Sequence, residues 1–288
     1  MTQIRVLDIH PHIISTDTVR YPRAPLGGNQ STWSQERPTT TEQLLAAMGD
    51  AGVAKAAIVQ ASTCYGFDNS YVADAVAEHP DRFTGVFSVD MLADDAPKQI
   101  RHWVDRKLTG LRLFTAGSTM IGQASWLGDP KSFPAWDCAA ELGIPVCVQM
   151  RPAGMPQLQV LLDRYPRVPI IIDHFLGASL EDGPPYSAAD TLFGLVKFPN
   201  IYLKLTPVVV DNARKGMATP ESFFPLVVKE FGASRIAWGS NFPANARSLK
   251  ELLQDTQSAL AWAPESDLEW IFHKTSERLY PALEANAA

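Results

Sequence analysis

At 288 residues, with 25 Lys and Arg against 31 Asp and Glu and a formal charge of −6, the chain has no general positive field for nucleic acid or anionic lipid. Its 46% hydrophobic and 19% charged residues exclude disorder. The length suits two average domains or one α/β barrel, which needs about 250 residues.

The N-terminus enters a strand pattern at once, over 4–10 (IRVLDIH), without the charged-then-apolar form of a signal peptide. No apolar run approaches the roughly 20 residues that span a bilayer. A soluble cytoplasmic protein without a membrane partner is expected. The strand leads into VLDIHPH, which sets Asp8, His10 and His12 at alternate positions, so a period of two turns all three to one side. A His-x-His pair on a strand is a ligand pattern for Zn²⁺ and related ions. It is also the pattern of a hydrogen-bonded pair, and both readings stand at this point.

After a long loop over 13–40, TEQLLAAMGD predicts a helix over 41–50, closed by Gly52. A second strand over 56–60 runs into the polar stretch QASTCYGFDNS, where Gln60 and Ser62 share a phase, either lining a mouth or serving a turn and the helix at 69–78. A strand over 83–89 and a helix over 97–107 follow. The strand over 110–114 (GLRLF) carries Arg112 and precedes a helix at 131–142; that over 145–150 carries Gln149, with Arg151 just beyond it, before a helix at 155–165. In the strand over 169–175, His174 shares the phase of Ile170 and Ile172 and is expected inside, whereas Asp173 is expected to face the helices. A helix over 187–198 leads to the strand over 201–205 (IYLKL) with Lys204, then a helix at 221–231. The last strand, over 236–240, leads to Asn241 in phase with Ala237 and Gly239, followed by a helix at 249–262 and a helical tail at 265–279.

Eight strand–helix units without a dividing linker predict an α/β fold, a (β/α)₈ TIM barrel over residues 1–288 as a single domain with a C-terminal helical extension. Long strand-to-helix loops at 13–40, 115–130, 176–186 and 206–220 gather at the carboxyl ends of the strands, where such barrels place their sites. Three cations, Arg112, Arg151 and Lys204, also sit at strand ends. Buried cations need partners. They either hold the carboxylate of a small anionic substrate, with Gln149 beside them, or form internal salt bridges to Asp8, Asp90 or Asp173. His79, His102 and His273 fall at the wrong end or face. Cys64, Cys138 and Cys147 lack CxxC spacing and read as buried thiols. Tyr21, Trp33, Trp126 and Tyr186 are wall or packing aromatics.

DIHPH, RYPRAPL, TTEQLLAAMGDAGVAKAAIVQASTCYGFDN, DRFTGVFSVD, GLRLF, IIIDHFLG, YLKL and WGSNFP together cover nearly the whole chain. In combination they resemble the amidohydrolase superfamily, and within it the branch of 2-pyrone-4,6-dicarboxylate lactonase and other sugar- or muconolactone hydrolases. The resemblance implies catalytic roles for His10, His12 and His174 and a substrate-holding role for Arg112. It also places Asn241 where the family usually has the aspartate that takes a proton from the attacking water. An amide has no such basic site.

Some branches use Zn²⁺ or Mn²⁺ and some lactonases work without metal, so a divalent ion on His10, His12 and His174, Zn²⁺ before others, stands beside a metal-free site. The expected activity is hydrolysis of a small carboxylated lactone or related cyclic ester. A decarboxylase, hydratase or isomerase, or a non-catalytic binding barrel, are the alternatives. The sequence is compatible with a homo-oligomer and does not fix one.

Overall fold

The computed structural model describes residues 4–115 and 126–285. Eight strands form one sheet in chain order: β1 (Val6–Asp8), β2 (Val53–Val59), β3 (Phe83–Phe87), β4 (Leu108–Phe114), β5 (Val146–Gln149), β6 (Ile170–Asp173), β7 (Ile201–Leu205) and β8 (Ile236–Trp238). Each pairs in parallel with the next. At the seam, Ile9 N–H donates to the Trp238 carbonyl at 3.2 Å and ties the first strand to the last. The expected (β/α)₈ barrel is present.

The crossover helices are α1 (Thr41–Ala51), α2 (Ser70–Glu78), α3 (Ala96–Asp105), α4 (Phe133–Leu142), α5 (Met155–Arg164), α6 (Asp190–Phe193), α7 (Pro220–Phe231) and α8 (Leu249–Ala259). Reciprocal capping boxes start α1 (Thr40 with Gln43) and α8 (Ser248 with Glu251), each satisfying amide groups that the first turn leaves open. The helix expected over 187–198 is much shorter. It breaks at Gly194, after which Val196 and Phe198 bond three residues back rather than four. The tail is helical, as expected, over Glu265–Glu269, Trp270–Lys274 and Thr275–Leu279, with a π turn in its middle piece. No helix among the described residues is long and apolar enough to cross a membrane.

Two apolar layers follow from strand alternation. Ile58, Val146, Ile170 and Ile172 join the layer between sheet and helices. Leu7, Ile9, Ala57, Val59, Val86, Cys147, Ile171 and Ala237 face the barrel axis, where Leu279, Tyr280 and Leu283 of the tail fill the floor. Small strand residues make room for Tyr280. A Cβ on Gly110 would lie 2.7 Å from its ring, so only glycine fits there.

These layers reverse one expectation. Ile171 is axial, so Asp173 points into the barrel rather than toward the helices, and the phase of Ile170 and Ile172 leads outward. Strand alternation therefore does not bring His174 to the axis. Nor does it carry His10 and His12, since β1 stops at Asp8 and its axial residue is Leu7.

Candidate functional site

His174 is aimed by backbone turning. Immediately after β6, His174, Phe175, Leu176 and Gly177 have φ of 50°, 52°, 62° and 60°. Three non-glycine residues in this left-handed region cost about 1–2 kcal/mol each, and such strain concentrates at functional sites. Nδ1 of His174 lies 2.8 Å from Thr206 Oγ1 just past β7. On the other side of the seam, Asp8 Oδ1 accepts from the backbone N–H groups of His10 and Ser240, both at 2.9 Å, and so fixes where the chain leaves β1. A Cβ on Gly239 would lie 2.6 Å from His10 Cβ, so this glycine admits the close approach of the His10 backbone and Cβ.

The three imidazoles do meet. The His10 ring centroid is 5.0 Å from that of His12 and 5.1 Å from that of His174. His12 Nδ1 lies 2.7 Å from the Val59 carbonyl, which can only accept; Nδ1 therefore carries the proton and Nε2 the lone pair. Burial holds all three rings neutral. It pushes His12 down to about 3, with Arg112 adding to the effect, and His174 down to about 4 against the opposing pull of Asp173. His10 falls well below the usual imidazole range through burial and the nearby Lys204 and Arg112. Neither of its ring nitrogens has a hydrogen-bond partner among the described residues, although the side chain is fully enclosed. A buried polar group left unpaired costs about 1–3 kcal/mol, which a ligand that supplies the missing bond would recover.

A cavity of about 200 Å³ opens over the His12 and His174 rings, lined by these two with Trp33, Arg112, Gln149 and Asn241 among others. Trp33 stands on a short helix, Thr32–Glu36, within the first long loop, and its ring lies 5.2 Å from that of His12. Arg37, at the end of that helix, donates to the carbonyls of Pro243 and Ala244 and ties the loop to the segment carrying Asn241. Asn241 has φ of 53°, a conformation that Asn and Asp tolerate better than most residues. Of the other aromatic candidates, Tyr186 packs against Phe223 and Tyr21 against Tyr71. Trp126 donates to the Phe114 carbonyl beside a neighbouring cavity.

The cations divide. Arg112 reaches the cavity, its Nε donating to Asp173 Oδ2 at 2.9 Å and its Nη2 to Gln149. Arg151 is exposed and lines an adjoining cavity that shares Gln149 and His174. Lys204 does not line either one. It is fully enclosed, 2.7 Å from Asp173 Oδ1, so its expected direct contact with substrate gives way to the internal salt bridge. Asp173 is thus the site residue that the sequence misplaced. Two inward cations, Arg112 on β4 and Lys204 on β7, each needing a partner, were the signal for it.

Ring nitrogens of His10 and His174 and a carboxylate oxygen of Asp173 lie within 4.8 Å of one another. Among the described residues these three, rather than the three imidazoles together, are the group able to hold a divalent ion. His10's two unpartnered nitrogens and the neutral state of both rings fit such an ion. Asp173 already serves two cations and Asn241 brings no charge, so the donor set is weaker than one with a free carboxylate.

The family model described as Amidohydrolase matches residues 8–282. The L-fucono-1,5-lactonase of Burkholderia ambifaria is 27% identical over 230 residues, covering 79% of this chain and 76% of that protein. A structure from Pseudomonas putida assigned as a 2-pyrone-4,6-dicarboxylic acid hydrolase superposes with a TM-score of 0.77 at 19% identity, over 97% of this chain and 98% of that one. An amidohydrolase structure from Burkholderia multivorans with bound zinc does so with a TM-score of 0.77 at 17% identity, over 96% and 99%.

Proposed function

Because the chain belongs to the amidohydrolase family, we propose that it hydrolyses a small lactone bearing a carboxylate, with the ring carbonyl over the three imidazoles and the acid group on Arg112. The observation that carries this reading is the fully buried His10, with two ring nitrogens unpartnered among the described residues, its ring 5.0 and 5.1 Å from those of His12 and His174, which line one pocket with the Arg112 guanidinium. A lactone carboxylate offers an acceptor for an imidazole N–H and a second anion for an arginine that shares Asp173 with Lys204.

In this reading the substrate acid forms a fork with Arg112, and Arg151 at the adjoining cavity guides it in. The lone pair on His12 Nε2 takes a proton from the attacking water. Its low basicity in the empty pocket owes part of its depression to Arg112, and an anion seated on Arg112 offsets that part, so the base strengthens when substrate arrives. His10 and the Asn241 amide donate to the oxygen as it gains charge, and His174, held by Thr206, fixes the opposite wall. His10, His174 and Asp173 are the residues that would hold a metal, Zn²⁺ first among the candidates. A bound ion would polarise the carbonyl and lower the pKa of its water to about 7.

Decarboxylation of a small acid is the second reading, favoured by Asn241, since loss of CO₂ does not require a carboxylate to activate water. Following acid release and CO₂ evolution across a set of lactone carboxylates and aromatic acids separates the two. Hydrolysis without CO₂ is expected. His10→Leu, which removes the unpartnered nitrogens and keeps an apolar side chain, should lower kcat/KM by about 100-fold or more while leaving the protein folded. Full activity in that variant would remove the imidazole cluster from the mechanism.

A further inference from the structure

Beneath the cavity the barrel axis holds a column of polar groups in an otherwise apolar interior. Lys204 Nζ lies 2.7 Å from Asp173 Oδ1 and 3.3 Å from Cys147 Sγ, and Cys147 Sγ lies 3.4 Å from the Tyr280 hydroxyl at the floor. Above, Asp173 Oδ2 holds Arg112 Nε, Gln149 holds Arg112 Nη2, and the Phe114 ring lies under the guanidinium at 4.4 Å. Arg112 is thereby fixed on three sides, and its Nη1 has no partner among the described residues. A single carboxylate between two cations compensates neither completely. Lys204's neighbours below are neutral, since burial pushes the Cys147 thiol and the Tyr280 phenol up and keeps both protonated. Asp8 attracts Lys204 as well, from the seam.

We propose that Lys204 is a positioning residue: by drawing Asp173 downward it keeps Arg112 only partly neutralised and its free edge turned to the cavity, so that the site selects a carboxylate over an uncharged group. Without Lys204 the whole charge of Asp173 would fall on Arg112, and the guanidinium would become half of a closed buried pair with little field left for substrate. Lys204 acts through Asp173 and never touches the substrate. The proposal rests on the lactone-carboxylate reading above.

The test compares lactone carboxylates with their matching primary carboxamides, which keep shape and remove charge. Wild-type enzyme should favour the acids. Lys204→Met should raise KM for the acids about tenfold, with kcat changed by less than about threefold, and move KM for the carboxamides by less than about twofold. Lys204→Gln, which retains a hydrogen bond to Asp173 without the charge, should give the same split and serves where Lys204→Met does not fold. Equal losses on both substrate sets, or an undiminished preference for acids in either folded variant, would overturn the proposal alone. A wild-type enzyme that turns over neither set, or shows no preference, would overturn the functional reading and this proposal with it.

Discussion

The floor and the mouth of this barrel are built from the same eight strands and obey opposite rules. At the floor, Leu279, Tyr280 and Leu283 sit enclosed among apolar axial residues, and the Tyr280 phenol meets a thiol. At the mouth, an enclosed histidine has no partner for either nitrogen among the described residues, four consecutive residues adopt left-handed backbone, and two cations share one carboxylate. The floor satisfies its groups internally and contributes stability. The mouth leaves bonds and charge unanswered, at a cost to the fold, and those are the features a ligand completes.

The largest expected effect tests the floor. Tyr280→Ala deletes a fully buried ring that Gly110 is shaped to admit, and should destabilise the protein by about 3–5 kcal/mol in urea unfolding. Below the transition, the folded fraction should retain its preference for acid substrates, because Tyr280 reaches Arg112 only through Cys147, Lys204 and Asp173. A change in that preference would show that floor and mouth are one unit rather than two.

The second effect belongs to the mouth and is read in pH. His12 and His174 have folded values near 3 and 4 against an ordinary 6.5. As pH falls below about 6.5 the unfolded chain therefore takes up protons first, and stability declines down to about 4. Asp173, held low by Lys204 and Arg112 although burial works to raise it, adds stability that is lost only in strong acid. Asp8, raised by burial to about 6 from 3.8, acts in the reverse sense: its contribution is complete below 3.8 and disappears as pH rises through 6. With His10 also depressed, three imidazoles oppose one carboxyl. The urea midpoint should therefore fall from pH 6.5 to 4.5. A flat or rising midpoint toward acid would contradict neutral rings at the mouth.

Much of the frame was legible in the sequence because hydrophobic period and turn residues are local. All eight strands appear, 201–205 with unchanged bounds, and the capped helices near 41–50 and 249–262 start where their Thr40 and Ser248 caps place them. The site was legible as a set of residues and less so as a geometry. Taking Ile170 and Ile172 rather than Ile171 as the axial phase put Asp173 outside, and carrying that phase past the end of β6 put His174 inside for the wrong reason. From His174 the chain turns through φ values that the side-chain pattern does not encode. Lys204 was left between a substrate contact and an internal salt bridge because sequence marks a strand end and not depth along the barrel axis. The floor was missed altogether: LYPAL at 279–283 reads as a helix end, and only the space above Gly110 reveals where Tyr280 goes.

The smallest effect isolates one bond at the mouth. Thr206 is enclosed, and its hydroxyl meets His174 Nδ1 at 2.8 Å, the polar contact that holds the ring at the end of its strained turn. Thr206→Val keeps the shape and deletes the bond, so stability should drop by about 1 kcal/mol. The ring then loses the partner that fixes its orientation while the left-handed backbone still delivers it to the cavity. If that backbone does most of the aiming, kcat falls less than about tenfold and KM for acid substrates stays close to wild type. If instead kcat collapses as it should for His10→Leu, the hydroxyl rather than the turn positions His174. The strain at 174–177 would then need another cause.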